Sequence, residues 1–202
     1  NFYKKIANEN KPVVSIGGDH SITGGILQGL GSNALKMTKG KKISFLHIDA
    51  HTDTFSQLDH FMGAKKSAAH WGAYLVEQGI IDPKTSMQIG MRGNPRTLDW
   101  LQPSYDLGYN VVTMDEFQKR GIKDVIKETL DKIGDNPVYI TFDLDSLDAS
   151  VAPAVSNIEP SFTGFTIDEA KELIQSVKNK NVIGGDVVCL MPTKDNKNNI
   201  TS

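Results

Sequence analysis

Asp49, His51 and Asp53 stand at every second position of DAHTD, directly after the apolar run ISFLHI. An extended chain projects positions i, i+2 and i+4 to one side, whereas a helix scatters them about its axis. Asp143 and Asp145 repeat the spacing in DLD after VYITF, and His20 stands in GGDHS after VVSI. Brought together, these strand ends offer four carboxylates and two imidazoles to one pocket. Such a concentration of negative charge repels itself unless cations balance it, which points to divalent metal. Carboxylate-rich sets with a minority of imidazole suit Mn2+, Ni2+ or Fe2+ better than a structural zinc, which prefers thiolates in a closed tetrahedron. Four aspartates favour two ions over one.

These side chains need a scaffold that delivers several strand ends to one place. VVSIGG, ISFLHID, MQIGMRG, YNVVT, VYITFDLD and NVIGGDVV read as buried strands, apolar on both faces and bounded by Gly, Pro or Asp. Helical patterns lie between them: SAAHWGAYLVEQG, KDVIKETLDKIG with a closing Gly, and TIDEAKELIQSVKNK, where Thr166 and Glu169 form a capping-box pattern. The alternation predicts an α/β fold, a parallel β-sheet with helices on both faces. No repeat or flexible linker interrupts it, so residues 1–202 are expected to be one domain, cut at both ends. In such open sheets ligands collect beyond the carboxyl ends of the strands, where the metal-capable residues fall.

Composition narrows the function classes. A formal net charge of -2 with scattered Lys and Arg leaves no electrostatic footprint for nucleic acid or an anionic membrane. A small solute is the expected partner. The single cysteine, Cys189, rules out an internal disulfide and fits a reducing, cytoplasmic setting. No apolar stretch reaches the length of a membrane span, and the start NFYKKIANEN resembles neither a signal peptide nor a translation start.

Simpler roles compete for each residue taken alone. A lone Asp at a strand end is usually a turn former or helix cap, and GGDHS alone suits a tight turn leading into a helix capped by Asp19 or Ser21. His47, inside ISFLHI, reads as a satisfied core histidine facing away from the crevice, and His60 as a loop residue. Arg92 suits a structural salt bridge, with ordering of the loop NPRTLDW as the other reading. Trp71 and Trp100 suit the core or a subunit contact, although either ring could wall a cationic pocket. Cys189 reads as a small packing residue against the pocket wall. The combination is more specific than its parts, since three turn-capable patches would have to carry matching ligand chemistry by accident.

GGDHS, DAHTD and FDLDSLDASVAP, in that order and together with IGMRG and IGGDVV, resemble the ureohydrolase superfamily of arginase, agmatinase and related enzymes. The resemblance runs over nearly the whole chain and implies an arginase-like three-layer α/β/α fold without its opening segment and its last strand and helix. By position it implies that His20 and Asp53 hold one metal ion, His51 and Asp145 the other, and Asp49 and Asp143 bridge the two. It further implies Mn2+ or Ni2+ as cofactor, hydrolysis of a guanidino compound to urea, and a closed homo-oligomer. Asp53 or a neighbouring acid would carry a proton to the leaving nitrogen.

Three departures bear on the substrate. Family members commonly carry a His-Gly pair whose histidine shuttles protons, and here the matching helix reads KKSAAHWGAY, with His70 shifted by about two residues. His70 is either that shuttle or a packing residue. The loop after the third motif reads APAVSNIEPSFTG in place of a Gly-Thr-rich version, and Cys189 stands where a glutamate usually pairs with the guanidinium. A pocket lacking that carboxylate and leaning on Trp71, Asp148, Ser156, Asn157 and Cys189 suits a small cation, guanidine above agmatine or a guanidino acid. A binuclear phosphoesterase would need more histidines than the five present, and a related deacetylase would use one metal. The remaining rival is a metal-binding subunit that has lost turnover and assembles with an active partner.

Overall fold

The computed structural model describes residues 2–31, 36–56, 61–93, 97–159 and 164–201, with no account of the Phe61 side chain. All six expected strands are present: β1 (Val13–Ile16), β2 (Ser44–Ile48), β3 (Met87–Met91), β4 (Asn110–Thr113), β5 (Pro137–Asp143) and β6 (Asn181–Val188). They form one parallel sheet in the order β1-β6-β5-β2-β3-β4. Four of the helices, α1 (Phe2–Asn8), α2 (Ser21–Leu30), α4 (Gln102–Leu107) and α5 (Met114–Arg120), lie outside the three segments with clear helical periodicity. Those three segments supply α3 (Trp71–Glu77), α6 (Ile122–Ile133) and α7 (Ile167–Ser176). The reciprocal cap expected of Thr166 and Glu169 opens α7, and Thr113 with Glu116 makes the same device at α5.

Strand alternation divides the core. Phe45 and Tyr139 pack with Ile26, Leu27, Leu30, Trp71 and Leu75 from α2 and α3 on one face. Leu46, Ile48 and Val138 pack with Phe117, Val125, Ile133 and Leu173 from α5, α6 and α7 on the other. This is the expected three-layer arrangement, and β2 is buried along its whole length because both its faces are covered. In β6 the register against β5 shifts, Val138 pairing with Val182 but Tyr139 with Gly184. That extra residue reverses the facing of the rest of the strand, so Asp186 lies opposite Thr141 and points to the α2 side.

Candidate metal centre

The carboxyl ends of β1, β2 and β5 converge, although β6 separates β1 from β5. Beyond Ile48 the chain bends through residues 49–51, instead of continuing extended as the spacing of DAHTD suggested. The Asp49 amide donates to Ile89 and the Arg92 amide to Ala50, which keeps it beside β3. Asp53 then adopts a left-handed backbone at φ 52°, a conformation that costs a non-glycine residue about 1–3 kcal/mol. The start of α3 holds it there. The Gly72 amide donates to its carbonyl at 2.9 Å, and the Trp71 indole donates to its Oδ2 at 2.9 Å. After β5, the Asp143 carboxylate caps the next turn by accepting from the Asp145 amide.

Two donor groups result. His20 Nδ1 lies 3.0 Å from Asp49 Oδ2, 3.1 Å from Asp53 Oδ2 and 3.2 Å from Asp143 Oδ2. His51 Nδ1 lies 3.3 Å from Asp49 Oδ1 and 3.2 Å from Asp145 Oδ2. Asp49 therefore turns one carboxylate oxygen to each imidazole. Asp143 offers one oxygen to the His20 group and spends the other on the Asp145 amide. Ligand atoms within 4.8 Å of one another define two sets, His20 with His47, Asp49 and Asp53, and Asp49 with His51 and Asp145.

The electrostatics suit a cluster able to take up cations. Burial opposes charge on His20 and His51, yet the surrounding carboxylates outweigh it and hold both imidazoles well above their ordinary range. Burial, and then the neighbouring aspartate charges, raise Asp143 and Asp145. Burial also opposes ionisation of Asp49, but the three flanking histidines hold it well below the carboxylate range. His20 Nδ1 is buried and makes no hydrogen bond among the described residues, despite three carboxylate oxygens at contact distance. A divalent ion satisfies that nitrogen and the oxygens together, so the donor set fits oxygen-preferring metals with some imidazole.

His47 does not face away from the crevice as expected. It is fully buried and satisfied, but its Nε2 donates to Asp49 Oδ2 at 2.8 Å. The Gln88 amide donates to its Nδ1 and to the Thr52 carbonyl, which fixes the proton on Nε2. Arg92 also departs from expectation. Its buried guanidinium donates to the carbonyls of Asp145, Ser146 and Leu147, pinning the third ligand motif through backbone rather than through an acid. Sequence reasoning missed Glu159, whose Oε1 accepts from His51 Nε2 at 2.9 Å. Gly93, at φ 104°, makes room for it, since a Cβ there would stand 2.3 Å from Glu159 Oε2. The glycine closing IGMRG was the one legible trace of that approach.

The expected substrate-side residues are placed unevenly. Trp71 is fully buried against His20, His47 and Phe45, so it backs the donor cluster from the interior instead of lining an open cationic pocket. His70 is buried, with Nδ1 2.8 Å from Ser67 Oγ at the turn that leads into α3. The Asp148 carboxylate accepts from the Ser150 and Gly164 amides and so organises its own loop. Ser156 and Asn157 are exposed, and the Ser156 amide donates to the Cys189 carbonyl. Cys189 is buried with φ 67°, its amide on the Gly18 carbonyl, and burial followed by the Asp143 charge pushes its thiol far up. These surroundings suit a packing thiol better than a nucleophile. His60, and the 94–96 part of the loop after Gly93, lie outside the described residues.

The model of the arginase family matches residues 1–202 of this sequence. The chain belongs to the arginase family. Among relatives, the mitochondrial guanidino acid hydrolase of Homo sapiens is 33% identical over 193 residues, covering 96% of this chain and 52% of that protein. An agmatinase of Escherichia coli O7:K1 (strain IAI39 / ExPEC) is 34% identical over 198 residues, covering 95% and 56%. Among solved structures, a hypothetical agmatinase from Burkholderia thailandensis aligns with TM-score 0.80 at 28% identity, over 99% of this chain and 57% of that one. Proclavaminate amidino hydrolase from Streptomyces clavuligerus aligns with TM-score 0.82 at 27% identity, over 98% and 64%. The chain thus spans about half the length of the curated arginase-family relatives it matches. Among the described residues no helix is long and apolar enough to cross a membrane.

Proposed function

We propose that this arginase-family chain is a binuclear metal-dependent amidinohydrolase that releases urea from a small guanidino compound. The observation that carries the reading is the split of Asp49, one carboxylate oxygen toward His20 and the other toward His51. His20 and Asp53 would hold one ion and His51 and Asp145 the other, with Asp49 and Asp143 between them. When bound, two divalent ions supply Lewis acidity that ionises water near neutral pH. The residues provide the rest. Asp53, fixed by Trp71, is placed to accept a proton and return it to the leaving nitrogen. Asp148, Ser156, Asn157 and Cys189 line the approach, with His70 as a further proton carrier.

Guanidine is the favoured substrate because the thiol of Cys189 cannot pair with a guanidinium as a carboxylate would. Agmatine and guanidino acids, named for the relatives, remain the comparison set. Manganese or nickel suits the donors equally. The same reading takes residues 1–202 as one α/β domain of a cytoplasmic homo-oligomer. The test is urea release from guanidine, agmatine and guanidino acids by protein supplied with Mn2+ or Ni2+, run beside metal analysis. Two ions per chain with no urea from any compound would favour the other reading, a metal-holding subunit without turnover, which Cys189 at that position also supports.

A further inference from the structure

We propose that Asp186 is a positioning residue for His20, acting through Thr141 to keep the ring proton on Nε2 and leave Nδ1 for metal. The inference rests on the binuclear reading above. Asp186 lies in β6, is 2% exposed, and belongs to neither donor group. A buried acid in a central strand is costly unless its oxygens are satisfied. Three hydroxyls satisfy them: Thr141 Oγ1 donates to Oδ1 at 2.7 Å, Tyr139 Oη to Oδ2 at 2.8 Å, and Thr23 Oγ1 to Oδ2 at 2.9 Å.

A hydroxyl has one hydrogen. Thr141 spends its hydrogen on Asp186, so toward His20 Nε2, 2.8 Å away, its oxygen can only accept. His20 must donate from Nε2, and Nδ1 is the nitrogen that faces Asp49, Asp53 and Asp143. Ligand histidines usually give the outer N–H directly to a carboxylate, a backbone carbonyl or water. Here β6 keeps the acid one strand away and the threonine relays its polarity. The shift of register after Val182 turns Asp186 to this face, and Thr23 ties the same carboxylate to the first turn of α2, just past His20. The outer nitrogen of His51 follows the direct form with Glu159, so the two imidazoles are oriented by different devices.

The test is Mn2+ titration of the full chain, following the electron paramagnetic resonance signal of the free ion. Wild type is expected to take two ions. Asp186→Asn and Thr141→Val should each weaken one of them by about 10–100-fold and leave the other within a factor of two. Thr141→Ser, which keeps the hydroxyl, should bind as wild type, and the double variant should be no weaker than Thr141→Val alone. Two tight ions in wild type and equally tight ions in Thr141→Val would overturn the relay while leaving the binuclear reading intact. No ion in wild type would overturn both. If Asp186→Asn loses cooperative unfolding, the Val and Ser variants at position 141 decide alone.

Discussion

The indole nitrogen of Trp71 donates to Oδ2 of Asp53 across 2.9 Å, from a ring that has no exposed surface. An aromatic residue from the first turn of a helix thus reaches back to hold a strand-end carboxylate in place, on a backbone that disfavours its conformation. The bond links the apolar core directly to the metal-capable cluster.

Trp71→Phe removes this donor and keeps most of the ring. An unsatisfied buried acceptor costs about 1–3 kcal/mol, so the metal-free variant should lose stability of that order in urea unfolding. With metal present the loss should shrink, because Asp53 regains a partner. Equal losses with and without metal would place Asp53 outside the metal set.

Glu159→Ala should weaken one of two bound ions by roughly 10–100-fold, since the outer nitrogen of His51 loses its carboxylate. Gly93→Ala should act in the same direction without touching either residue's chemistry, because its new methyl group would stand 2.3 Å from Oε2 and 2.5 Å from Cδ of Glu159 and push that carboxylate away. Calorimetric metal titration reads both. Unchanged affinity in the two variants would leave Glu159 without a role at His51.

Arg92→Lys should cost stability despite keeping the charge. The guanidinium reaches three consecutive carbonyls, and an ammonium lacks the planar fork needed to reproduce that geometry. Losing two hydrogen bonds from a charged donor amounts to about 3 kcal/mol or more, measurable as a shift in urea midpoint. Metal affinity at Asp145 should fall in parallel.

Metal removal should lower Tm. At a hundred times its Kd each ion adds about 2.7 kcal/mol, worth roughly 5–10 °C for a chain of this size. Uptake should also strengthen as pH rises. His20 and His51 hold their protons above the ordinary imidazole range, and metal must displace one from each Nδ1. Calorimetry in buffers of different ionisation enthalpy should show proton release. Affinity that stays flat between mildly acidic and neutral pH would argue against imidazole ligation.

His47→Ala should not be silent. The residue lies beside Asp49 and fills the wall next to Trp71, so its loss should reduce metal affinity along with stability. A fully neutral result would mean that Asp49 is held well enough by His20 and His51 alone.

Much of this molecule was legible because strand geometry is local. Each apolar run ending in Asp or Gly marked one strand and its carboxyl end. The extended alternation expected of DAHTD and DLD is not what gathers their acids: the chain bends at 49–51, turns left-handed at Asp53, and carries Asp145 in the turn Leu144–Ser146. The capping pair Thr166 and Glu169 lies within one turn and was equally readable. Contacts that span the sheet were not. Strand order places β6 between the strands that supply His20 and Asp143, and a single extra residue there decides that Asp186 faces Thr141. The approach of Glu159 to His51 joins residues 108 apart, and the direction of His47 depends on its neighbours across two strands. Sequence by itself determined which chemical groups were available and at which strand ends they stood, since an apolar run and the polar residues that close it are neighbours in the chain. Only the tertiary structure decided which of them meet and which nitrogen of His20 and of His51 faces the carboxylates, because hydrogen-bond direction is set by partners remote in the chain.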